Sequence, residues 1–153
     1  MVEVRRLSVD EWQVWRDVRL TALADAPGAF TATLEEWADA DESRWRARFA
    51  AVPFNAVAFR EGRPIGQVSG LDLDEHAAVT LLSLWVAPEA RGLGVARALV
   101  DAVIAEARST GAASVYLRVF PTNTAAIALY ERCGFVAAPC DLEGLVAFRY
   151  PLT

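Results

Sequence analysis

From Ala78 to Val86 the chain reads AVTLLSLWV, an almost unbroken apolar run. Its length and its bounding turn residues predict a strand buried on both faces. Pro88 ends it, and a loop containing Gly92 and Gly94 follows. Leu99, Val103 and Ala107 then recur along one face of a helix expected from about Gly94 to Ser109, which Gly111 terminates. Ser114 to Val119 is a second short buried strand. A strand–helix–strand unit needs a crossover, so these two strands are expected to be parallel, with a right-handed connection. This pair limits the fold more than any other feature of the chain.

The flanking segments extend the pattern. Ser8-Val9-Asp10-Glu11 is a capping-box sequence ahead of Trp12, Trp15, Val18, Ala22 and Leu23, which predicts a first helix from about Val9 to Ala24. Leu34 to Ala51 is charge-rich, with Trp37, Trp45 and Phe49 forming a stripe, and reads as a second helical region in two pieces. Ala56 to Arg60 and Pro64 to Leu73 are strands around the turn Glu61-Gly62-Arg63. After Val119, Pro121 breaks the chain, Asn123 caps a helix to about Cys133, and Gly134 stops it. Phe135 to Ala138 and Leu145 to Tyr150 close the order as strands. The expected class is α+β: a mixed, mostly antiparallel sheet with one central parallel pair. At 153 residues, 1–153 is expected to form a single domain.

Composition removes several alternatives. The net charge of −5 disfavours nucleic acid as a partner. No apolar run reaches the roughly 18 residues of a membrane span, and the first residues lack a signal core, so a cytoplasmic protein with no membrane partner is expected. Cys133 and Cys140 match no metal-ligand spacing and are expected to be two buried thiols in a reducing compartment; no metal is expected. All fifteen basic residues are arginine, which excludes a lysine nucleophile or Schiff base.

The loop Arg91-Gly92-Leu93-Gly94-Val95-Ala96 joins a buried strand to a helix. Its small residues admit a ligand close to the backbone, and the helix start offers unpaired N–H groups and a positive dipole end. Such a site suits a phosphate or pyrophosphate, with charge added by Arg91 and Arg97. The hexamer alone also fits a simple turn, and it matches neither the P-loop nor the dinucleotide fingerprint. Asn123 and Tyr130 stand seven residues apart, about two helical turns, so both can face one groove. Taken alone, Asn123 reads first as a plain N-cap and Tyr130 as a half-buried core aromatic.

Together these segments resemble the GNAT superfamily of N-acetyltransferases. The family's R/Q-x-x-G-x-G/A signature is matched by Arg91, Gly94 and Ala96, and the preceding L-x-V-x-P by Leu84, Val86 and Pro88. Its later N-x-x-A-x-x-L-Y-x-x-x-G-F pattern is matched by Asn123, Ala126, Leu129, Tyr130, Gly134 and Phe135. The strong match covers residues 80 to 136. The resemblance implies a splayed parallel pair, often helped by a bulge, with helices on both faces of the sheet. It implies acetyl-CoA as cosubstrate, with pantetheine along Leu84, Trp85 and Val86. The pyrophosphate would lie on Arg91, Gly92, Leu93, Gly94, Val95, Ala96 and Arg97. Asn123 and Tyr130 would also contact the cofactor, Tyr130 as the catalytic acid at sulfur. A homodimer is compatible with it.

The acceptor is less defined. The resemblance implies an amine: that of a small molecule, or alternatively a peptide or protein N-terminus or lysine. A third reading is an acyl-CoA sensor without turnover. Some relatives acting on protein N-termini carry an L-E-V motif on the second parallel strand, where this chain has Leu117-Arg118-Val119. Arg118 is a candidate for an acceptor carboxylate or for a surface ion pair. Glu35 and Glu36 are candidate ammonium binders or a solvated helix face. Asp72 is a weaker candidate, and His76 in its loop is expected to be inert.

Overall fold

The computed structural model describes residues 1–152. Among these described residues, seven strands form one sheet in the order β1-β2-β3-β4-β5-β7-β6. They are β1 (Val2–Arg6), β2 (Phe54–Arg60), β3 (Arg63–Leu71), β4 (Ala78–Val86), β5 (Ser114–Val119), β6 (Val136–Ala138) and β7 (Val146–Pro151). Only β4 and β5 pair in parallel; the other neighbours are antiparallel. The helices are α1 (Trp12–Asp25), α2 (Leu34–Trp37), α3 (Glu42–Ala51), α4 (Val95–Ser109) and α5 (Thr124–Arg132). No helix of the described residues is long and apolar enough to cross a membrane.

The helices cover both faces, as the resemblance implied. On one face α4 buries Val95, Leu99, Val100, Val103, Ile104 and Ala107. It sits very close to β3, because a Cβ on Gly66 would lie 3.0 Å from Leu99 Cδ1 and 2.9 Å from the Trp85 carbonyl oxygen. Truncating Leu99 to alanine there would cost about 2–5 kcal/mol. The opposite face carries Asn55 and Ser69, and α3 reaches them through Arg48. Trp15 and Trp45 fill the space between α1 and α3.

Two features depart from the expected element order. β1 pairs with β2 although its Val–Glu–Val–Arg–Arg sequence carries more charge than apolar surface. An edge strand needs only one buried face and tolerates such charge. The first helix begins as a single 3-10 turn over Val9–Glu11 before α1, and Glu11 closes the expected capping box by accepting the Ser8 N–H at 3.0 Å. Cys133 is buried, but Cys140 is only partly so, because it lies in the loop between β6 and β7.

Candidate active site in the wedge between β4 and β5

The parallel pair is short. Ala78, Val79 and Thr80 pair with Ser114, Val115 and Tyr116, and pairing stops there although both strands continue. The cause lies in β4. Between Leu82 and Trp85 it holds one residue more than β3 does between Ser69 and Gln67, which is a β-bulge. Ser83 sits in it at φ +60. The fully buried Gln67 donates from Nε2 to the Ser83 carbonyl at 3.0 Å and pins the bulge. Beyond it β4 bends away from β5 and opens a wedge.

The backbone of β4 faces that wedge in a defined way. The Ala87 N–H donates to the Ile65 carbonyl at 2.8 Å, and Val86 stands opposite Gly66. Ladder alternation therefore turns the N–H and C=O of Val86 away from β3 and into the wedge, and those of Leu84 likewise. Arg91 Nε donates to the Val86 carbonyl at 3.1 Å. The Val86 N–H is directed at the open space.

Two cavities meet in the wedge. The larger, about 790 Å³, runs from Leu84, Trp85 and Val86 to the loop and first turn of α4. Gly92 and Gly94 both have φ +80, a conformation only glycine adopts without strain, and Gly94 caps α4 without a side-chain hydrogen bond. The first-turn amides of a 15-residue helix are thus left for a ligand. Arg91 does not add net charge here, because its Nη2 donates to Asp25 at 2.8 Å. Asp25 also accepts the Trp85 indole N–H at 2.9 Å, so one carboxylate anchors strand and loop. Arg97 lines the cavity with Asp101 at 3.8 Å.

The smaller cavity, about 390 Å³, shares Phe30, Leu84, Asn123 and Ala126 with the first and continues past Tyr130, Arg19, Arg48 and Arg118. The Asn123 side chain accepts the Ala126 N–H at 3.3 Å and caps α5. Tyr130 is buried at 6% exposure, its ring tilted 57° against that of Phe135. Burial first, and the Cys133 thiol second, hold its phenol well above the ordinary range.

The wedge thus brings together Leu84, Trp85, Val86, Arg91, Gly92, Gly94, Val95, Ala96, Arg97 and Asn123 around the larger cavity, with Tyr130 in the smaller. The Leu93 side chain is exposed and lines neither cavity, so what this residue can offer a ligand is its backbone N–H. Glu35 and Glu36 line neither cavity. Both are exposed on α2, away from the wedge, and the Glu36 carboxylate accepts the Thr33 N–H at 2.9 Å in a capping box. Asp72 accepts the Leu73 N–H in an exposed turn, and His76 is exposed beside Glu75. Arg118 lines the smaller cavity and is held by Asp141 at 2.8 Å. Sequence reasoning missed Asp25, Arg19 and Arg48. Arg19 follows Trp15 by four residues and Arg48 follows Trp45 by three, which places both on buried helix faces.

Comparison with known proteins assigns the class. The model of the Acetyltransferase (GNAT) family matches residues 9–135. The chain belongs to this family. It is 31% identical over 144 residues to a mycothiol acetyltransferase of Thermobispora bispora, an alignment covering 85% of this chain and 44% of that protein. It is 43% identical over 63 residues to the [ribosomal protein bS18]-alanine N-acetyltransferase of Escherichia coli, covering 41% and 40% of the two. Its fold is similar to that of the PaiA N-acetyltransferase of Thermoplasma acidophilum in complex with coenzyme A, with TM-score 0.75, 16% identity and 99% of both chains covered. The chain spans less than half the length of the mycothiol acetyltransferases that it matches.

Proposed function

We propose that the chain is one acetyltransferase domain that moves an acetyl group from acetyl-CoA to the amine of a small molecule. The observation that carries this reading is the junction of the two cavities at Leu84 and Asn123, with the Val86 N–H and Tyr130 beside it. The larger cavity suits the cofactor: pantetheine pairs with the outward backbone of Leu84 and Val86, and the pyrophosphate rests on the amides from Gly92 to Ala96. The acceptor enters through the smaller cavity.

The step needs no covalent enzyme intermediate. A neutral amine nitrogen attacks the thioester carbon, and the Val86 N–H stabilises the oxyanion, a contribution of about 3 kcal/mol when well aimed. Collapse breaks the C–S bond. The leaving sulfur takes the phenolic proton of Tyr130, the ammonium of the intermediate gives its proton to water, and Tyr130 is reprotonated from solvent. The Tyr130 phenol is protonated at neutral pH; burial weakens it as an acid, and the same dry site makes the leaving thiolate more basic and keeps the transfer feasible.

The relative acting on ribosomal protein bS18 supports a second reading, a protein N-terminus as acceptor. Thiol release from acetyl-CoA over a panel of small amines and Ala-initiated peptides tests both. Release with small amines is expected. Release only with peptides would favour the second reading, and tight CoA binding without release on any acceptor would leave a sensor.

A further inference from the structure

Arg19 on α1 and Arg48 on α3 are half-buried cations without an anion among the described residues. The Arg19 guanidinium lies 4.7 Å from the Phe30 ring centroid, and its Nη1 is buried with no hydrogen-bond partner among the described residues. Arg48 lies 5.0 Å from the Trp15 centroid and donates 3.3 Å bonds to two neutral oxygens, Asn55 Oδ1 and Ser69 Oγ. Neither forms an ion pair among the described residues. Burial pulls each guanidinium down to about 10, and the Arg19 charge presses on Arg48; both stay charged at neutral pH. Both line the smaller cavity, whose described walls hold no Asp or Glu.

Desolvated like charges side by side are costly unless a ligand supplies the counter-charge. Arg118, at the rim, already has Asp141. We propose that the acceptor is an amine that also carries an oxyanion, a carboxylate or a phosphate-type group, gripped by Arg19 and Arg48 while the amine points to the Val86–Tyr130 junction. The inference rests on the acetyl-transfer reading for its amine and on the cavity for its anion. Planar guanidinium forks suit such oxyanions. Phe30, Leu81, Leu142 and Leu145 add apolar wall that suits a hydrocarbon body such as an amino-acid side chain. The same charges repel polyamines.

The experiment uses the intact chain with acetyl-CoA and follows thiol release. L-Alanine, L-leucine and L-phenylalanine are each compared with the amide, the decarboxylated amine and the aminophosphonate analogue. The best acid or phosphonate should exceed its amide and amine by roughly 10- to 100-fold in kcat/KM, the scale of a charge-assisted pair. Whether acid or phosphonate leads distinguishes the two oxyanions. Arg19→Gln and Arg48→Gln should bring the acid-to-amide ratio toward one, chiefly through KM, and Arg48→Lys should restore part of it. Equal turnover of acid and amide, or preference for diamines or Ala-initiated peptides, would overturn the proposal. Calorimetry with CoA bound gives a readout without turnover: an N-acetyl amino acid should bind roughly tenfold more tightly than its amide. Equal or absent binding of the acids also overturns it. Preferred acid binding without thiol release on any acceptor keeps the anion site and refutes acetyl transfer instead.

Discussion

The two cavities of the wedge treat charge in opposite ways. Around the larger one, Arg91 has Asp25 and Arg97 has Asp101, and Arg132 is exposed to solvent. What it offers a ligand is backbone, from the outward face of β4 and the amides of α4. Around the smaller one, the distinctive offer is side chain: Arg19 and Arg48 without acids among the described residues, and the buried Tyr130 phenol. A backbone site serves a cosubstrate that many chains share, because it asks only for a bend and small residues. A side-chain site serves an acceptor that differs from chain to chain. The contrast also says which kind of substitution should damage which half.

The largest effect is expected at the junction. Tyr130→Phe keeps the ring packed on Phe135 but removes the only donor proposed for the leaving sulfur. We expect kcat to fall about 100-fold, within the range for general acids. The KM for acetyl-CoA should stay within about twofold, since little ground-state binding is lost. Steady-state kinetics at saturating acceptor decides it; unchanged kcat would remove Tyr130 from the mechanism.

Next in size is a backbone lesion in the larger cavity. Gly94 holds φ +80 with open space where a Cβ would stand, so the penalty of Gly94→Val is conformational rather than steric. Forcing a β-branched residue into the left-handed region costs about 1–2 kcal/mol. The loop should relax out of that conformation, and the KM for acetyl-CoA should rise by about tenfold with kcat nearly kept. A matching rise in the acceptor KM would show that the two cavities are not separable in this way.

The same contrast explains what could be read before the structure. The order of elements from β2 onward followed from apolar runs and Gly/Pro punctuation, because the parallel crossover around Gly92 and Gly94 admits few topologies. The loop that lines the larger cavity was legible for the same reason: a backbone turn of this kind leaves a trace in small residues at fixed spacing. The splay came only through the resemblance, since it depends on Ser83 and Gln67 meeting across two strands, which no local pattern encodes. Asp25, Arg19 and Arg48 were not legible, because their roles come from α1 and α3 folding over the sheet far from the motifs. Glu35 and Glu36 stayed ambiguous because a capping box and a ligand site use the same residue types. An arginine at helical spacing from Trp15 or Trp45 was the available signal, and its meaning appears only when no acid is found near it.

A smaller effect concerns pH. The folded state holds the Tyr130 pKa above its unfolded value of about 10. A group raised in this way contributes stability that is complete below the unfolded pKa and is lost as pH rises toward the folded one. From about pH 10 upward, the native chain should therefore lose stability with a slope of at most about 1.4 kcal/mol per pH unit from this group. Melting temperatures of the native chain and Tyr130→Phe, compared from neutral to alkaline pH, isolate the term. The variant should show the shallower alkaline decline; parallel curves would mean the phenol ionises as freely folded as unfolded.

The smallest effect is expected where the smaller cavity already has its charge balanced. Arg118 stands at the position where relatives with L-E-V carry an acid, yet its guanidinium is held by Asp141 at 2.8 Å and lies over the Tyr116 ring. An exposed pair of this kind contributes at most about 1 kcal/mol. Arg118→Met keeps the hydrocarbon stem against the cavity rim and removes the charge. If Arg19 and Arg48 alone recognise the acceptor's anion, this variant should change kcat/KM for the preferred acid by less than about threefold, far below the loss from Arg48→Gln. Parallel titration of acid and amide acceptors with the two variants separates rim from interior. A loss at Arg118 as large as that at Arg48 would move the anion site outward, to the mouth of the cavity, and make Asp141 its competitor rather than a bystander.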